Sequence, residues 1–314
     1  MKTKIIAVAG PTASGKTSLA VEIAKRVGGE VISNDSMQIY RGMEIGTAAP
    51  TMEERQGIVH HMVGVCDPSD EFSCADYSER ARRIIEDIAA RGKIPVFCGG
   101  TGLYLDSVLT VSDLSESEKD TTVRDRLTLF AKEEGNKALH DRLRRVDPEA
   151  AETIHMNNVR RVVRALEIFE TTGITKTEWD RRSKERELPY DVSMAIIEFS
   201  DRELLYSRID KRVHLMMEAG LLGEVKHLFE NDLLSKGKPA FQAIGYKEFI
   251  PYLEGTATLE ECISEVQMVS RRYAKRQITW FRRYSDAIRL TADTENGVRS
   301  AEELACEFLE KANF

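Results

Sequence analysis

The sequence predicts an α/β protein in which a parallel β-sheet is flanked by helices and the chain carries an all-helical insertion. In the first hundred residues, short apolar segments alternate with helix-like stretches, as in parallel strands joined by crossover helices. Between residues 116 and 152, 18 of 37 residues are charged and strand signals disappear. The helical stretch runs to about residue 189, and a buried-strand pattern returns at residues 192–199. We therefore predict a discontinuous α/β domain, residues 1–115 and 190–314, and a helical insertion domain at residues 116–189.

The individual elements follow from hydrophobic spacing and turn residues. An apolar strand at residues 5–9 leads through a Gly/Pro turn into a helix at about 17–27, which ends at Gly28-Gly29. The other predicted strands are 30–33, 61–65, 94–98 and 192–199, and the other helical stretches of the α/β domain are 77–90, 204–229, 259–283 and 301–312.

Composition indicates a folded enzyme. The chain has 314 residues, 42% hydrophobic and 31% charged, and its apolar runs are shorter than the roughly 18 residues that cross a bilayer. The start does not resemble a signal peptide, so we expect a cytoplasmic monomer with no membrane partner. The five cysteines form no C-x-x-C pair, which favours reduced thiols. A net charge of −7 disfavours nucleic acid unless basic residues gather on one face.

A phosphate-binding loop is predicted at residues 10–17, GPTASGKT, which match G-x-x-x-x-G-K-[ST] between a strand and a helix. Gly10 and Gly15 let backbone N–H groups turn inward toward an anion at a helix N-terminus. The Lys16 ammonium suits diphosphate oxygens and the Thr17 hydroxyl suits Mg²⁺. The sheet is thus predicted to be P-loop NTPase-like, although ATP, GTP and other diphosphate esters fit such a loop equally. The predicted diphosphate-binding residues are Gly10, Thr12, Ala13, Ser14, Gly15, Lys16 and Thr17.

Two further strand ends are expected beside this loop. Asp35 follows the second strand, where its carboxylate could act as a general base or hold Mg²⁺ through water, or could simply form an Asx turn. The Gln38 amide could recognise an adenine edge, or could be an ordinary surface group. The segment Gly99-Gly100-Thr101-Gly102 follows the strand at 94–98. Its glycines predict either close approach to a ligand or another chain, forming a third wall of the site, or a plain tight turn.

Two basic clusters could counter the overall negative charge. Residues 264–284 contain six cations and one acid, Glu265, with an apolar stripe at helical spacing. We interpret the cations as a track for a polyanion, with a solvated helix face as the alternative. They are Arg271, Arg272, Lys275, Arg276, Arg282 and Arg283. In the insertion, Arg160, Arg161 and Arg164 could contact RNA or pair with nearby acids.

In combination these segments resemble the bacterial tRNA dimethylallyltransferase family, also called tRNA isopentenyltransferases. The resemblance runs in register along about the whole chain. It is carried by GPTASGKT at 10–17, NDSMQIYRGMEIGTAAP at 34–50, CGGTGLY at 98–104, RRVVRALEI at 160–168, QAIGYKE at 242–248 and AKRQITWFR at 274–282.

The resemblance implies transfer of the dimethylallyl group from dimethylallyl diphosphate to N6 of the adenosine immediately 3′ to the anticodon, in tRNAs that read codons beginning with U. Asp35 resembles the general base, Thr17 a catalytic hydroxyl near the bridging oxygen, and Arg208 an arginine that reaches the diphosphate from the opposite side. Mg²⁺ is the implied metal, with Thr17 as its ligand. The insertion is expected to grip the anticodon stem-loop. Predicted tRNA contacts are Asp35, Ser36, Met37, Gln38, Thr101, Arg160, Arg161, Arg164, Gln242, Gly245 and Lys247, and on the basic helix Arg272 and Arg276.

Chemistry adds one expectation and leaves one main alternative. The target adenine must be flipped out of its stacked loop, and Tyr40 or Tyr104 could stack on it. The alternative is an ATP-dependent kinase of a small metabolite or nucleoside, with Asp35 as base for a hydroxyl acceptor. A P-loop switch that only binds nucleotide and RNA would need an N-K-x-D motif, which the sequence lacks.

Overall fold

The computed structural model describes residues 2–110, 121–185, 188–295 and 297–314. The chain divides into two compact units, one formed by Met1–Val108 and Tyr190–Phe314 and the other by Leu109–Pro189. The predicted domain boundary between residues 115 and 116 lies outside the described residues. The larger unit is the α/β domain.

The α/β domain is built from two stretches of chain. Its first stretch contains β1 (Thr3–Ala9), α1 (Lys16–Val27), β2 (Glu30–Ser33), α2 (Met52–Arg55), β3 (His60–His61), α3 (Cys74–Ala90), β4 (Pro95–Gly99) and α4 (Gly102–Leu109).

All regular elements among the described residues of the second unit are helices. They are α5 (Thr122–Val146), α6 (Pro148–Thr153), α7 (Val159–Thr172) and α8 (Lys176–Glu185). Leu127, Leu143 and Val162 belong to their shared apolar core. Gly135, with φ 88°, interrupts α5.

The second stretch of the α/β domain returns to the sheet and then becomes mostly helical. It contains β5 (Tyr190–Glu198), α9 (Arg202–Glu218), α10 (Leu221–Glu230), α11 (Ile250–Leu253), α12 (Leu259–Phe281), β6 (Ile288–Thr291), β7 (Asp293–Thr294), β8 (Gly297–Val298) and α13 (Ala301–Lys311). Two short 3₁₀ turns occupy Ala240–Gln242 and Lys247–Phe249.

Six parallel strands form the main sheet, in the order β3-β2-β4-β1-β5-β6. This confirms the predicted α/β fold. β4 lies between β1 and β2, so the loops that leave these three strands emerge side by side at one edge of the sheet. β7 and β8 form a separate antiparallel pair.

Burial on both faces explains why β1 reads as one continuous apolar run. Residues 5–9 are each at most 1% exposed. On one side β1 packs with α1, whose buried Leu19, Ala20, Ile23 and Ala24 recur at helical spacing. Gly28, at φ 65°, ends α1 in the left-handed conformation. The predicted strand at 5–9 and helix at 17–27 are therefore confirmed to within a few residues.

Two predicted elements are wrong in extent. Of the strand expected at 61–65, only His61 belongs to a strand, as the last residue of β3. Met62 and Gly64 have φ of 63° and 61°, which extended strands do not allow. The helical stretch at 204–229 is two helices, α9 and α10, separated where Gly220 adopts φ 100°. Among the described residues, no helix has the length and apolar character to cross a membrane.

Candidate active site

A cavity of about 650 Å³ lies at the sheet edge where β1, β2 and β4 end. The phosphate loop forms one side of it, since every residue from Thr12 to Ser18 lines the cavity. Asp35 follows β2, and Cys98 and Gly99 belong to β4. The opposite side is formed by residues of α9 and α12, namely Arg208, Lys211, Arg212, Leu215, Met216, Tyr273 and Gln277.

The loop has the backbone that its glycines predict. Gly10 and Gly15 have φ of 146° and 93°, a region that L side chains rarely adopt. At Gly10 a Cβ would also lie 2.9 Å from the Ile197 carbonyl oxygen of β5. The Ser14 hydroxyl is buried without a hydrogen-bond partner among the described residues, which suits a loop built to receive an oxyanion.

Lys16 lies in the cavity with its ammonium group donating to the Pro11 carbonyl at 2.6 Å. Desolvation by the surrounding protein lowers its pKa to about 8, with a smaller lowering from Arg212 and opposing effects of Cys98 and Asp35. Loss of solvation disfavours the charged form of an amine, and an anionic ligand would restore that form, so this site favours an anionic ligand.

Thr17 and Cys98 meet on the floor of the cavity. Burial raises the pKa of the Cys98 thiol to about 11, a shift that Lys16 and Thr17 partly oppose. The thiol therefore stays protonated near neutral pH. The Thr17 hydroxyl also lines the cavity, where the sequence predicted a diphosphate or Mg²⁺ contact.

Asp35 stands at the meeting point of this cavity and a second one of about 270 Å³, since it lines both. Its Oδ1 accepts the backbone N–H groups of Met37 at 2.9 Å and Gln38 at 3.4 Å. The Asx turn is therefore present. Because both of these bonds fall on one oxygen, the turn and a role in the cavity are compatible.

The second cavity brings together three groups of predicted tRNA contacts. Ser36 and Met37 lie on one side, while Gln242, Gly245 and Lys247 line another, and Arg276 comes from α12. Thr101 is next to Ser36, whose N–H donates to the Thr101 hydroxyl at 3.1 Å. Lys247 lies 3.6 Å from the buried carboxylate of Glu248.

Gln38 lines the larger cavity, but its amide is engaged within the protein. Nε2 donates to the carbonyls of Thr47 and Ala48, both at 3.2 Å. Oε1 accepts from the Ser33 hydroxyl at 2.9 Å. The amide thus supports the neighbouring loop, and its adenine contact stays a prediction.

Two arginines of α9 reach the phosphate loop. Arg208, predicted from the sequence, donates from Nε to the Ala13 carbonyl at 3.0 Å. Sequence reasoning missed Arg212, which lies one turn further along the same helix face, 3.5 Å from the Thr12 hydroxyl. Burial lowers its pKa, with Asp35 and Glu54 opposing that shift. The four-residue spacing from Arg208 was the available signal.

The glycines after β4 have a different role from the predicted one. A Cβ at Gly100 would lie 1.9 Å from Gln277 Nε2, and one at Gly102 would lie 2.0 Å from Trp280 Nε1. At Gly100 and Gly102 the close approach is therefore to α12 of the same chain. Gly99 alone of these glycines lines the cavity.

Gln277, also missed from the sequence, joins two of the loops. Its Oε1 accepts the N–H of Thr12 at 2.8 Å, and its Nε2 donates to the Gly100 carbonyl at 3.1 Å. The Thr12 amide is therefore already bonded, while its side chain faces both cavities.

The predicted stacking residues are wrong. Tyr40 is 3% and Tyr104 6% exposed, and Tyr104 stacks on Tyr77 with ring centroids 4.2 Å apart. Tyr273 of α12 lines both cavities instead. Burial raises the pKa of Tyr273 to about 12, so it remains a neutral aromatic ring.

The cationic face of α12 is divided between paired and unpaired groups. Arg271 pairs with Asp210, and Arg283 pairs with Asp106 at 3.0 Å. In the part of the chain that the structure describes, no acid forms an ion pair with the four remaining cations, Arg272, Lys275, Arg276 and Arg282. Arg276 lies over the ring of Tyr273, 5.3 Å from its centroid.

The arginines of the helical unit also differ from one another. Arg164 pairs with the fully buried Glu167 at 2.8 Å, as the structural alternative expected. Arg160 and Arg161, on the first turn of α7, are exposed.

Comparison with known proteins identifies the family. A family model described as IPP transferase matches residues 38–284, and one described as isopentenyl transferase matches residues 3–63. A tRNA dimethylallyltransferase of Bacillus cytotoxicus is 48% identical over 301 residues, which cover 96% of this chain and 93% of that protein. The corresponding protein of Halalkalibacterium halodurans is 48% identical over 282 residues, 90% of this chain and 89% of its own.

Two solved structures are similar to this chain over most of its length. The crystal structure of the tRNA delta(2)-isopentenylpyrophosphate transferase of Staphylococcus epidermidis is 39% identical with a TM-score of 0.72, over 99% of both chains. A eukaryotic dimethylallyltransferase acting on tRNA is 33% identical with a TM-score of 0.79, over 92% of this chain and 74% of that one. The resemblance seen in the sequence is confirmed, and the chain belongs to the IPP transferase family, that of the tRNA dimethylallyltransferases.

Proposed function

We propose that this chain is a tRNA dimethylallyltransferase. It transfers the dimethylallyl group of dimethylallyl diphosphate to N6 of the adenosine immediately 3′ to the anticodon, in tRNAs that read codons beginning with U, and releases diphosphate. The observation that carries the proposal is the position of Asp35. It lines both the cavity of the phosphate loop and the second cavity, which holds Gln242, Lys247 and Arg276.

The donor binds through its diphosphate. Allylic diphosphates ionise readily because the resulting cation is delocalised, so the enzyme has mainly to stabilise the leaving group. Lys16, Arg208 and Arg212 converge on the cavity from two sides, and fixed cations in a partly desolvated site stabilise developing negative charge strongly. The diphosphate also supplies an anionic partner for the Lys16 ammonium, which otherwise donates to the Pro11 carbonyl.

Mg²⁺ is proposed as the accompanying metal. The described residues contain no group of three or more His, Cys, Asp or Glu side chains that could hold a metal ion, so a metal cage made of protein alone does not fit. Mg²⁺ usually binds through one or two protein oxygens together with substrate phosphates, and the Thr17 hydroxyl in the cavity fits that pattern. Bound there, Mg²⁺ would neutralise charge on the diphosphate.

The acceptor enters from the second cavity. A flipped adenine would bring its N6 toward Asp35, which takes the proton as the bond from N6 to the allylic carbon forms and the bond from that carbon to the diphosphate oxygen breaks. The Tyr273 ring, which lines both cavities, is suited to stack on the base. Ser36, Met37, Gln38, Thr101, Gln242 and Gly245 are the proposed surroundings of the nucleotide.

The rest of the tRNA is held electrostatically. Exposed Arg272 and the neighbouring Arg276 on α12 are proposed to contact phosphates, which overcomes the net negative charge locally. Arg160, Arg161 and Arg164 are proposed to bind the anticodon stem-loop, which makes the helical unit the gripping domain. The cytoplasmic location and the monomeric state stay predictions.

The test compares two donors. Purified protein with Mg²⁺ and unmodified tRNA carrying adenosine next to the anticodon is incubated with labelled dimethylallyl diphosphate or labelled ATP, and the RNA is digested for nucleoside mass analysis. We expect prenylated adenosine from the first donor alone. A further incubation supplies ATP and a small acceptor in place of tRNA. Consumption of ATP there, with no prenylation of tRNA in the first incubation, would instead favour the kinase.

A further inference from the structure

The wall between the two cavities is formed by residues 43–49, which adopt turns but no regular helix or strand. Ile45, Ala48 and Ala49 face the larger cavity, Gly46 faces the smaller one, and Thr47 lines both. Three backbone hydrogen bonds within the segment maintain its turns: Thr47 N–H donates to the Met43 carbonyl, Ala48 N–H to that of Ile45 and Ala49 N–H to that of Glu44. These bonds do not tie the segment to the rest of the domain, so its position also depends on side chains outside it.

Glu224, on the first turn of α10, holds the wall from one side. Its two carboxylate oxygens accept the N–H groups of Ile45 and Gly46, each at 2.9 Å. Oε1 also lies 2.8 Å from the Tyr246 hydroxyl, which can donate to it. Among the described residues Glu224 has no cationic partner, so these donors are what balance its charge. Bonds to an ionised acceptor are the stronger kind.

Tyr246 connects the same wall to the second cavity. It is fully buried, and its hydroxyl is 2.8 Å from the Met43 carbonyl. A Cβ at Gly46 would lie 2.4 Å from its ring, so the wall and the ring are packed without spare room. Its chain neighbours Gly245 and Lys247 line the second cavity. Movement of Tyr246 would therefore displace both the wall and that lining.

Gln38 holds the wall from the other side through the carbonyls of Thr47 and Ala48. The segment is thus held at four consecutive residues, 45–48, by the nearby Gln38 and by Glu224, 178–179 residues further along the chain. Asp35, three residues before Gln38, is the group that must face both substrates.

We propose that Glu224, together with Tyr246, is a positioning residue for prenyl transfer. It fixes the wall so that the donor in the larger cavity and the adenine in the smaller one meet beside Asp35. The inference rests on the proposed function. It predicts an effect on turnover of bound substrates rather than on their binding, because small misalignments of reacting groups cost large factors in rate.

The experiment compares Glu224→Gln, Glu224→Ala and Tyr246→Phe with a matched control, Glu230→Gln, which changes an exposed glutamate at the end of the same helix. Kinetics are measured for dimethylallyl diphosphate and tRNA separately. We expect kcat to fall about tenfold in Glu224→Gln and about a hundredfold in Glu224→Ala, with each KM within about threefold of wild type. Tyr246→Phe keeps the ring and should lose about three- to tenfold in kcat.

Hydrogen exchange separates positioning from general instability. Amides of residues 43–49 should exchange faster in both Glu224 variants, while those of residues 10–17 stay near wild type. The thermal unfolding midpoint should stay near wild type in Glu224→Gln, which keeps one side-chain oxygen as an acceptor. Wild-type kcat in Glu224→Ala, or a loss shared by all regions of the protein, would overturn the proposal. If wild type and Glu230→Gln both fail to prenylate tRNA, the proposed function fails instead, and the exchange data still decide whether Glu224 holds the wall.

Discussion

Gln277 and Thr12 are 265 residues apart in the chain, yet the side-chain oxygen of Gln277 accepts the backbone N–H of Thr12 at 2.8 Å. This bond ties α12, the proposed tRNA-contacting helix, directly to the phosphate loop. Because the other end of the same amide holds Gly100, one side chain sets the separation of two walls of the active site.

Gln277→Leu should therefore impair both stability and donor binding. Gln277 is 4% exposed, and the change leaves the part-buried Thr12 N–H and the buried Gly100 carbonyl without this partner, at about 1–3 kcal/mol each. We expect urea denaturation to report a loss of about 2–5 kcal/mol, and the KM for dimethylallyl diphosphate to rise. Thr279→Ala, at an exposed site on the same helix, is the control. An unchanged unfolding free energy would show that the Gln277 bonds contribute nothing.

Asp35→Asn separates the two roles of this side chain. The amide oxygen of Asn can still accept the N–H groups of Met37 and Gln38, so the turn and tRNA binding should persist. The amide cannot serve as a base, and we expect kcat to fall about 10²–10⁴-fold. Single-turnover rates with saturating tRNA provide the measurement. Near-normal turnover by Asp35→Asn would exclude Asp35 as the general base.

The low pKa of Lys16 predicts a pH dependence for donor capture. Free protein binds the diphosphate with Lys16 protonated, and its pKa is about 8 because the site desolvates it. Above that pH, kcat/KM for dimethylallyl diphosphate should fall about tenfold per unit, since it reports the free enzyme. In the complex the diphosphate raises the pKa of Lys16, so kcat should hold to higher pH.

Lys211→Gln supplies the control for this pH profile. Lys211 lines the same cavity but is exposed, so its loss should leave the alkaline decline of kcat/KM at the same pH. A profile of the wild-type protein that stays flat up to about pH 9.5 would contradict the role assigned to Lys16.

Neutralising the unpaired cations of α12 should weaken tRNA binding in a salt-dependent way. If each side chain neutralises one phosphate, Arg272→Gln and Arg276→Gln should each reduce the slope of log K against log salt by about 1. Arg271→Gln is the matched comparison, because Arg271 already pairs with Asp210 and should change the slope less. A double variant combines Arg272→Gln with Arg276→Gln. If its slope equals that of wild type, this face of α12 is only solvated and does not contact phosphates.

Much of the site could be predicted because it is encoded in contiguous residues. The phosphate loop depends on glycines at fixed spacing, which permit the positive φ angles found at Gly10 and Gly15. Continuous apolar runs identified β1, β4 and β5, because strands buried on both faces need them. Asp35 was predictable since it follows β2 directly.

Local sequence patterns also led to some wrong or incomplete predictions. The apolar residues at 61–65 predicted a strand, but two positive φ angles end it after His61. β6 was missed because four residues carry too little pattern to distinguish a strand. The glycines after β4 correctly indicated close approach, but not whether a ligand or α12 approaches.

By itself the sequence determined the phosphate loop, the alternation of strands and helices around β1, β2 and β4, and the family. Each of these depends on neighbouring residues or on motifs in register. Only the tertiary structure decided that β4 lies between β1 and β2, and that Arg212, Gln277 and Glu224 join the site. Those contacts link residues some 180 to 265 positions apart. Which residues meet in these contacts depends on how the whole domain packs, and this packing cannot be predicted from the local sequence.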